Sequence, residues 1–369
     1  MKPACMPPHK RRFPLDELLS WWDRGRRPLP WRRERSAWRT WVSEVMLQQT
    51  RVETVIPYFQ RFMLLFPAPA RLADAADDTV MKAWEGLGYY QRIRNLQRAA
   101  TLVVESYGGE VPGNPAEFAL LPGAGPYITA AVMSISFKHP LPAVDGNVLR
   151  VIARYRGSRA DTRQTAQRDR VRRILARVIP PERPGDFNEA LMELGALVCT
   201  PRKPDCGHCP LAAACRARRL GLTTQLPVRS RRTAPRQIDV AVAVVTHLGK
   251  ILVRRRSDGH LNGLWEFPGG RLLAGETRKD AILRKCREEL NVDLRIKEKI
   301  ALVRHAYSHF RIQMEVYRAI PETPLPPTGE NLRWVTPAEL ESLPLPGANR
   351  KALPAILEGL EKREEEKRS

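Results

Sequence analysis

Two carboxylates and four thiols carry the chemistry that this sequence most plainly offers. Glu44 sits in Trp41-Val42-Ser43-Glu44-Val45-Met46-Leu47, surrounded by apolar side chains. Burial disfavours a charged carboxylate, so such a Glu keeps its proton to higher pH and can act as a general acid. The plainer alternative is a Glu on the solvent face of a half-buried helix. Asp145 precedes Gly146-Asn147-Val148, where a helix is expected to begin. The dipole of a helix N-terminus keeps a carboxylate ionised there, and a capping role is compatible with a catalytic one. Cys199, Cys206, Cys209 and Cys215 follow the spacing C-x6-C-x2-C-x5-C, within 17 residues. Four thiolates so close can enclose one metal centre, either a [4Fe–4S] cluster or a structural zinc.

A glycine turn lies between the two carboxylates. In Leu121-Pro122-Gly123-Ala124-Gly125-Pro126, the glycines permit positive φ and leave backbone N–H groups uncovered. Residues 129–137 then read as a buried helix, so Gly123 and Gly125 are candidates for holding one phosphate at a helix N-terminus. An ordinary core hairpin is the other reading. Gly86-Leu87-Gly88-Tyr89-Tyr90 is a second turn with two aromatics, followed by Arg92, Arg94 and Arg98. Aromatics beside a basic helix suit stacking on a nucleic acid, although either Tyr could instead pack in the core.

The elements that must hold these groups are helical at first. Residues 13–24 are amphipathic, with Leu15, Leu18, Leu19 and Trp22 on one face. Further helices are expected over 38–50, 52–66 (with a kink at Pro57), 148–155, 168–179 and 187–198. No strand is expected before residue 235. Residues 216–236 hold seven Arg and no acidic residue, which marks a basic linker. Strands are then expected over 239–246, 250–256, 299–305, 311–319 and 331–335, with a helix over 277–290 and a capped helix beginning at Thr336-Pro337. The domains read as a basic tail (1–12), an all-α domain (13–218), the linker (219–237), an α+β domain (238–360) and a charged, frayed tail (361–369).

A chain of 369 residues is too long for one core. Its 62 Lys and Arg against 40 Asp and Glu give +22, which favours a polyanionic partner, nucleic acid before membrane. No run approaches the ~20 apolar residues that span a bilayer. No export signal is visible, so the cysteines read as metal ligands rather than disulfides. A cytoplasmic, nucleoid-associated bacterial monomer is the expectation.

In this order the motifs resemble the helix-hairpin-helix DNA glycosylase superfamily, within it the adenine DNA glycosylase (MutY-type) branch. Residues 41–50 resemble its catalytic helix, 86–90 its minor-groove wedge, 121–131 its hairpin and 143–148 its Asp-bearing segment. The resemblance implies a DNA-repair enzyme that flips out and excises adenine mispaired with 8-oxoguanine or guanine. It implies that Glu44 protonates adenine N7 and that Asp145 stabilises or traps the oxocarbenium-like sugar. Tyr127 and Asn147 would support the sugar and Asp145. Arg27, Leu29, Trp31, Leu47 and Glu189 would line the adenine pocket, and Gln49 and Tyr89 would fill the gap left in the stack. The cysteine spacing is similar to the family's [4Fe–4S] loop. Tyr127 stands where bifunctional relatives carry a Schiff-base Lys, which implies a monofunctional enzyme.

Residues 238–360 resemble the Nudix fold, with departures. Lys285 replaces a metal-binding Glu and Asn291 replaces a Gly, which should weaken Mg²⁺ binding. Tyr307-Ser308-His309 resembles the family's recognition loop for 8-oxoguanine, with Tyr for Phe, and a plain turn is the alternative. Rival readings are a glycosylase/lyase for oxidised pyrimidines, a nucleotide pyrophosphatase tethered to a DNA-binding module, and a non-catalytic DNA-binding protein.

Overall fold

The computed structural model describes residues 13–230 and 236–368, apart from residues 258, 260, 308, 309 and 325–327, and over 363–368 it describes the backbone alone. The chain forms two compact units: the described parts of Met1–Asp74 with Asn95–Arg232, and of Ala75–Arg94 with Thr233–Ser369.

The first unit is helical, and among the described residues no strand precedes Arg236. The Leu15–Gly25 helix buries Leu18 and Trp22, members of the apolar stripe expected there. They meet Val148, Leu149 and Ile152 of the Gly146–Arg156 helix and Phe187, Leu191 and Leu194 of the Pro184–Leu197 helix in one core. The Ala37–Leu47 helix starts on Ser36, whose side chain accepts from the Arg39 N–H, and it buries Trp38, Trp41, Val42, Val45 and Met46. It ends sooner than expected. Gln49 takes φ 62°, a left-handed conformation that no helix continues through. The helix Val52–Leu65 carries Pro57 inside its first turns. Pro126–Phe137 begins with Pro at its first position and buries the run from Ile128 to Ser134.

The second unit is a seven-stranded mixed sheet between helices. Its strands are β1 (Arg236–His247), β2 (Lys250–Arg255), β3 (Trp265–Glu266), β4 (Gly269–Arg271), β5 (Leu294–Ala306), β6 (Phe310–Pro321) and β7 (Leu332–Val335). The order is β3-β2-β1-β6-β5, with β4 on β1 and β7 on β2. β1 and β6 run parallel from Arg236↔Phe310 to Val245↔Ala319. Side chains alternate across β1. Val242 and Val244 pack with Ala352, Leu353 and Ile356 on one face. Ala241, Ala243 and Val245 pack with Ile282 and Cys286 on the other. The two short strands and the helix Gly347–Arg368 were not expected from the sequence, and this helix runs through the segment expected to fray. An i,i+4 bond from Lys362 to Glu358, at 2.6 Å, supports its exposed end.

Residues 75–94 interrupt the expected continuity of the helical domain, because they belong to the sheet-bearing unit. Asp78 accepts from Trp265 Nε1 at 3.0 Å and from Arg333 at 3.1 Å. Glu85 accepts from the Leu345 N–H and Arg350 Nε, both at 2.9 Å. Lys82 donates to the carbonyl of Glu341 at 2.7 Å. Local periodicity finds such helices but not their distant partners.

Candidate active site

Glu44, on the third turn of the Ala37–Leu47 helix, is only 5% exposed. The hydroxyl of Tyr127 donates to its Oε2 at 2.5 Å. Tyr127 lies in the first turn of the Pro126–Phe137 helix, so the hairpin glycines set the place of this bond. Burial pushes the Glu44 carboxyl up to about 7, and the charges of Glu189 and Asp145 add to the rise, while the Tyr127 bond and Arg32 oppose it. The solvent-face alternative for Glu44 is therefore excluded. Burial also raises the Tyr127 hydroxyl well above its ordinary value.

Asp145 caps the Gly146–Arg156 helix. Its Oδ1 accepts from the Val148 N–H at 2.7 Å and its Oδ2 from Asn147 Nδ2 at 2.8 Å. Burial raises its carboxyl, and these donors with Arg150 pull it back toward the ionised form. Asn147 is itself held, because Arg150 Nη2 donates to its Oδ1 at 2.8 Å. Arg150 Nε donates to the Cys199 carbonyl at 2.8 Å. Gly195 lets the Pro184–Leu197 helix approach here, since a Cβ on it would meet Asn147 Cβ at 2.6 Å.

Glu44, Tyr127, Asp145, Asn147, Arg27, Leu29, Trp31, Leu47 and Glu189 all line one cavity. Sequence reasoning missed several of its other lining residues, among them Arg32, Met192 and Glu193. Arg27 grips Glu193 with a fork, Nε to Oε1 at 2.8 Å and Nη2 to Oε2 at 2.9 Å. Arg32 Nε and Arg35 Nη2 each donate to Glu189 at 2.7 Å. Burial alone would raise the Glu193 carboxyl, but the bonds from Arg27 and Arg32 outweigh it and hold it below the usual range. The available signal was that Glu189 and Glu193 stand four apart on one helix, hence on one face.

The remaining candidates lie elsewhere. Gln49 is exposed beyond the end of its helix. Gly123 takes φ 81°, as expected for the hairpin. Gly125 does not share that conformation: at φ −67° and ψ 171° it is an extended N-cap, so it needs no left-handed freedom there. What the missing side chain does leave is open space beside the backbone. Tyr89 and Tyr307 belong to the second unit, and both are half-buried. Ser308 and His309 lie outside the described residues.

The four cysteines share a small cavity with Arg154 and Arg218. Arg154 Nη1 donates to the Cys199 Sγ at 3.4 Å and to the Thr200 carbonyl at 2.7 Å. Among the described residues no three His, Cys, Asp or Glu side chains come together as a group that would hold a single metal ion. In the Nudix-like helix, cations stand among the carboxylates. Lys285 Nζ is 3.1 Å from both Glu288 and Glu289. Arg284 holds Glu276 at 2.6 Å and pulls its carboxyl down to about 2.

Residues 42–181 match the family described as HhH-GPD superfamily base excision DNA repair protein, and residues 240–355 match the NUDIX domain family. The chain is 36% identical to the adenine DNA glycosylase of Rattus norvegicus, over 90% of this chain and 76% of the rat protein. It is 35% identical to that of Homo sapiens, over 90% of this chain and 72% of the human protein. Among solved structures it is similar to a thermostable thymine-DNA glycosylase, with TM-score 0.51 and 29% identity, covering 56% of this chain and 95% of that one. A trapped endonuclease III–DNA covalent intermediate shares the fold at TM-score 0.50 and 24% identity, covering 59% of this chain and all of that one. A buried acid and a capped carboxylate thus line one cavity of a chain that belongs to the adenine DNA glycosylase family, and it is a DNA N-glycosylase of base excision repair.

Proposed function

We propose that this glycosylase excises adenine mispaired with 8-oxoguanine or guanine from duplex DNA, by hydrolysis and without strand cleavage. The observation that carries the reading is that two buried carboxyls with different hydrogen-bond partners line one cavity. Glu44 is poised at about 7, whereas at Asp145 burial raises the carboxyl and two N–H donors with Arg150 oppose that rise. Two carboxyls in different hydrogen-bond environments can divide into acid and stabiliser.

Adenine must leave the stack to enter the cavity. The Tyr127 hydroxyl occupies Oε2 of Glu44, which leaves Oε1 to carry the proton. That proton goes to adenine N7. The C1′–N9 bond then breaks with its electron pair going to N9, so the base departs neutral. Positive charge develops at C1′ and the ring oxygen, and the fixed carboxylate of Asp145 faces it or bonds to it. Water adds at C1′ and yields its proton to the Glu44 carboxylate, which restores the acid. The Arg27, Arg32, Glu189 and Glu193 lattice offers fixed donors and acceptors for the edge of the flipped base.

Among the described residues no lysine lines the cavity, and Lys138 caps the far end of the Pro126–Phe137 helix, whose second residue is Tyr127. Eleven residues of helix separate the two by about 16 Å. An imine with the sugar finds no lysine amine among the described lining residues, which supports monofunctional chemistry.

For the cysteine loop we favour a [4Fe–4S] cluster. A single zinc needs all four sulfurs at about 2.3 Å from one ion, whereas a multi-atom cluster holds them apart around a cavity. Cys199, Cys206, Cys209 and Cys215 would be its ligands, and when bound it would cross-link a loop rich in arginine. Arg154 beside Cys199 offers positive charge to a thiolate. For 8-oxoguanine the candidates remain Tyr307, Ser308 and His309.

The test is a single-turnover assay on duplexes bearing one A:8-oxoguanine, A:G, A:T or thymine-glycol pair, each sample split with and without hot alkali. Cleavage at adenine only after alkali, fastest opposite 8-oxoguanine, is expected. Cleavage without alkali, or at thymine glycol, would reassign the chain to the lyase reading.

A further inference from the structure

We propose that Arg92, assisted by Trp84, is a positioning residue that locks the Gly86–Tyr90 turn so that Tyr89 is presented to DNA as a rigid wedge. The inference rests on the reading of Tyr89 as the intercalating residue.

The turn is an unusual piece of backbone. Gly86 takes φ 97°, Gly88 φ 70° and Tyr89 φ 50°. Glycine adopts the left-handed region freely, but a tyrosine does so only where its surroundings enforce it. Two side chains contribute to that enforcement. Nη2 of Arg92 donates to the carbonyls of Leu87 at 3.2 Å and Gly88 at 3.0 Å. Trp84 Nε1 donates to the same Gly88 carbonyl at 3.1 Å. The Arg92 N–H closes the loop onto the Tyr89 carbonyl at 2.8 Å.

The guanidinium also lies against two rings, 5.4 Å from the centroid of Trp84 and 5.4 Å from that of Tyr89. Trp84 is fully buried, so one side of this stack is anchored in the core. Burial draws the Arg92 guanidinium down to about 10, which leaves it charged at neutral pH. A planar cation can bond two carbonyls and face two rings at once, and an ammonium cannot. Without the brace, the Leu87 and Gly88 carbonyls lose these donors, and part of the cost of ordering the turn falls on DNA binding.

The experiment uses the full chain with 2-aminopurine in place of the mispaired adenine, whose fluorescence rises on unstacking, alongside single-turnover excision of adenine. Four proteins are compared: wild type, Arg92→Lys, Tyr89→Ala and the double variant. Tyr89→Ala and Arg92→Lys should each lower the fluorescence gain and slow excision on the order of tenfold, from lost charge-assisted bonds. The double variant should match Tyr89→Ala to within about twofold, since both changes act on one wedge. Arg92→Lys should recover on an adenine placed in a bulge, already loosened from the stack, which a merely destabilised protein would not do. Wild-type behaviour of Arg92→Lys, multiplied losses in the double variant, or no recovery on the bulge would each overturn the proposal. Full extrusion by Tyr89→Ala would instead overturn the wedge reading itself. Should circular dichroism show Arg92→Lys unfolded, Trp84→Phe replaces it: it keeps a ring and removes one donor. A loss not additive with Tyr89→Ala then supports the brace, and wild-type extrusion refutes it.

Discussion

Replacing Glu44 by Gln should end excision and, above neutral pH, make the protein more stable. In the folded chain this carboxyl rises from 4.5 to about 7, chiefly because burial removes it from water. In the unfolded chain it ionises near its ordinary value. Between those two values the folded state holds a proton that the unfolded state has released. Wild-type stability therefore falls as pH climbs from about 4.5 to about 7, and the loss is complete above that range. At 1.36 kcal/mol per unit, the rise amounts to about 3 kcal/mol. Gln cannot ionise, and its carbonyl can still accept from the Tyr127 hydroxyl that bonds Oε2 at 2.5 Å. The two proteins should thus match near pH 4.5 and differ by about 3 kcal/mol at pH 8, with the variant ahead. Urea unfolding followed by circular dichroism at both pH values measures the gap, and gel-shift binding confirms that the variant still holds DNA. Parallel stability curves, or a variant less stable than wild type at pH 8, would refute the argument that Glu44 is a buried acid.

Asp145→Asn should leave stability within about 1 kcal/mol, because Asn caps helices as well as Asp does. Its single-turnover rate should nonetheless fall at least ~100-fold, the scale of losing a transition-state stabiliser; a preserved rate would reduce Asp145 to a cap. Excision by the wild type should decline as pH rises through about 7, where Glu44 loses its proton. Glu189→Gln removes one of the charges that raise Glu44, so the midpoint of that decline should move to lower pH, and an unmoved midpoint would deny the coupling. Cys206→Ser should cost purified protein its brown visible absorbance and much DNA affinity; zinc in the wild type, measured by elemental analysis, would exclude the cluster. Ser308→Ala with His309→Ala should narrow the preference for 8-oxoguanine over guanine, read as a ratio of excision rates, and an unchanged ratio would move recognition elsewhere.

What the sequence made legible was local. Glycine at 123 announces a left-handed turn, which φ 81° matches. Thr336 with Pro337 and Glu339 announces a capped helix, and the structure contains the full capping box there. The alternation along β1 separates Val242 and Val244 from Ala241 and Ala243 because side chains of a strand point to opposite faces. Failures began where an outcome depended on residues far away. Gln48-Gln49 carries no breaker, so the early end of the Ala37–Leu47 helix was not readable. Asp78 and Glu85, within residues 75–94, meet Trp265, Arg333 and Arg350, 187 to 265 positions away, and no local pattern names those partners.

The same division runs through the candidate active site. Apolar neighbours in the sequence were enough to nominate Glu44, but they could not set its acidity. That depends on residues of five separate helices, Asp145 as the cap of one, whose meeting no local pattern encodes. Burial alone would leave Glu44 a poor acid, holding its proton too tightly to give up. Tyr127, 83 positions away, donates to it and pulls the acidity back, and Arg32 does the same through its charge. Glu189 and Asp145 push the other way, and Glu189 is itself partly neutralised by Arg32 and Arg35. The arginines that hold the Glu189 carboxylate therefore also bear on the acid that would protonate the base. A substitution at Arg35, which does not line the cavity with Glu44, should then shift the pH dependence of excision upward, because an uncompensated Glu189 charge raises Glu44 further.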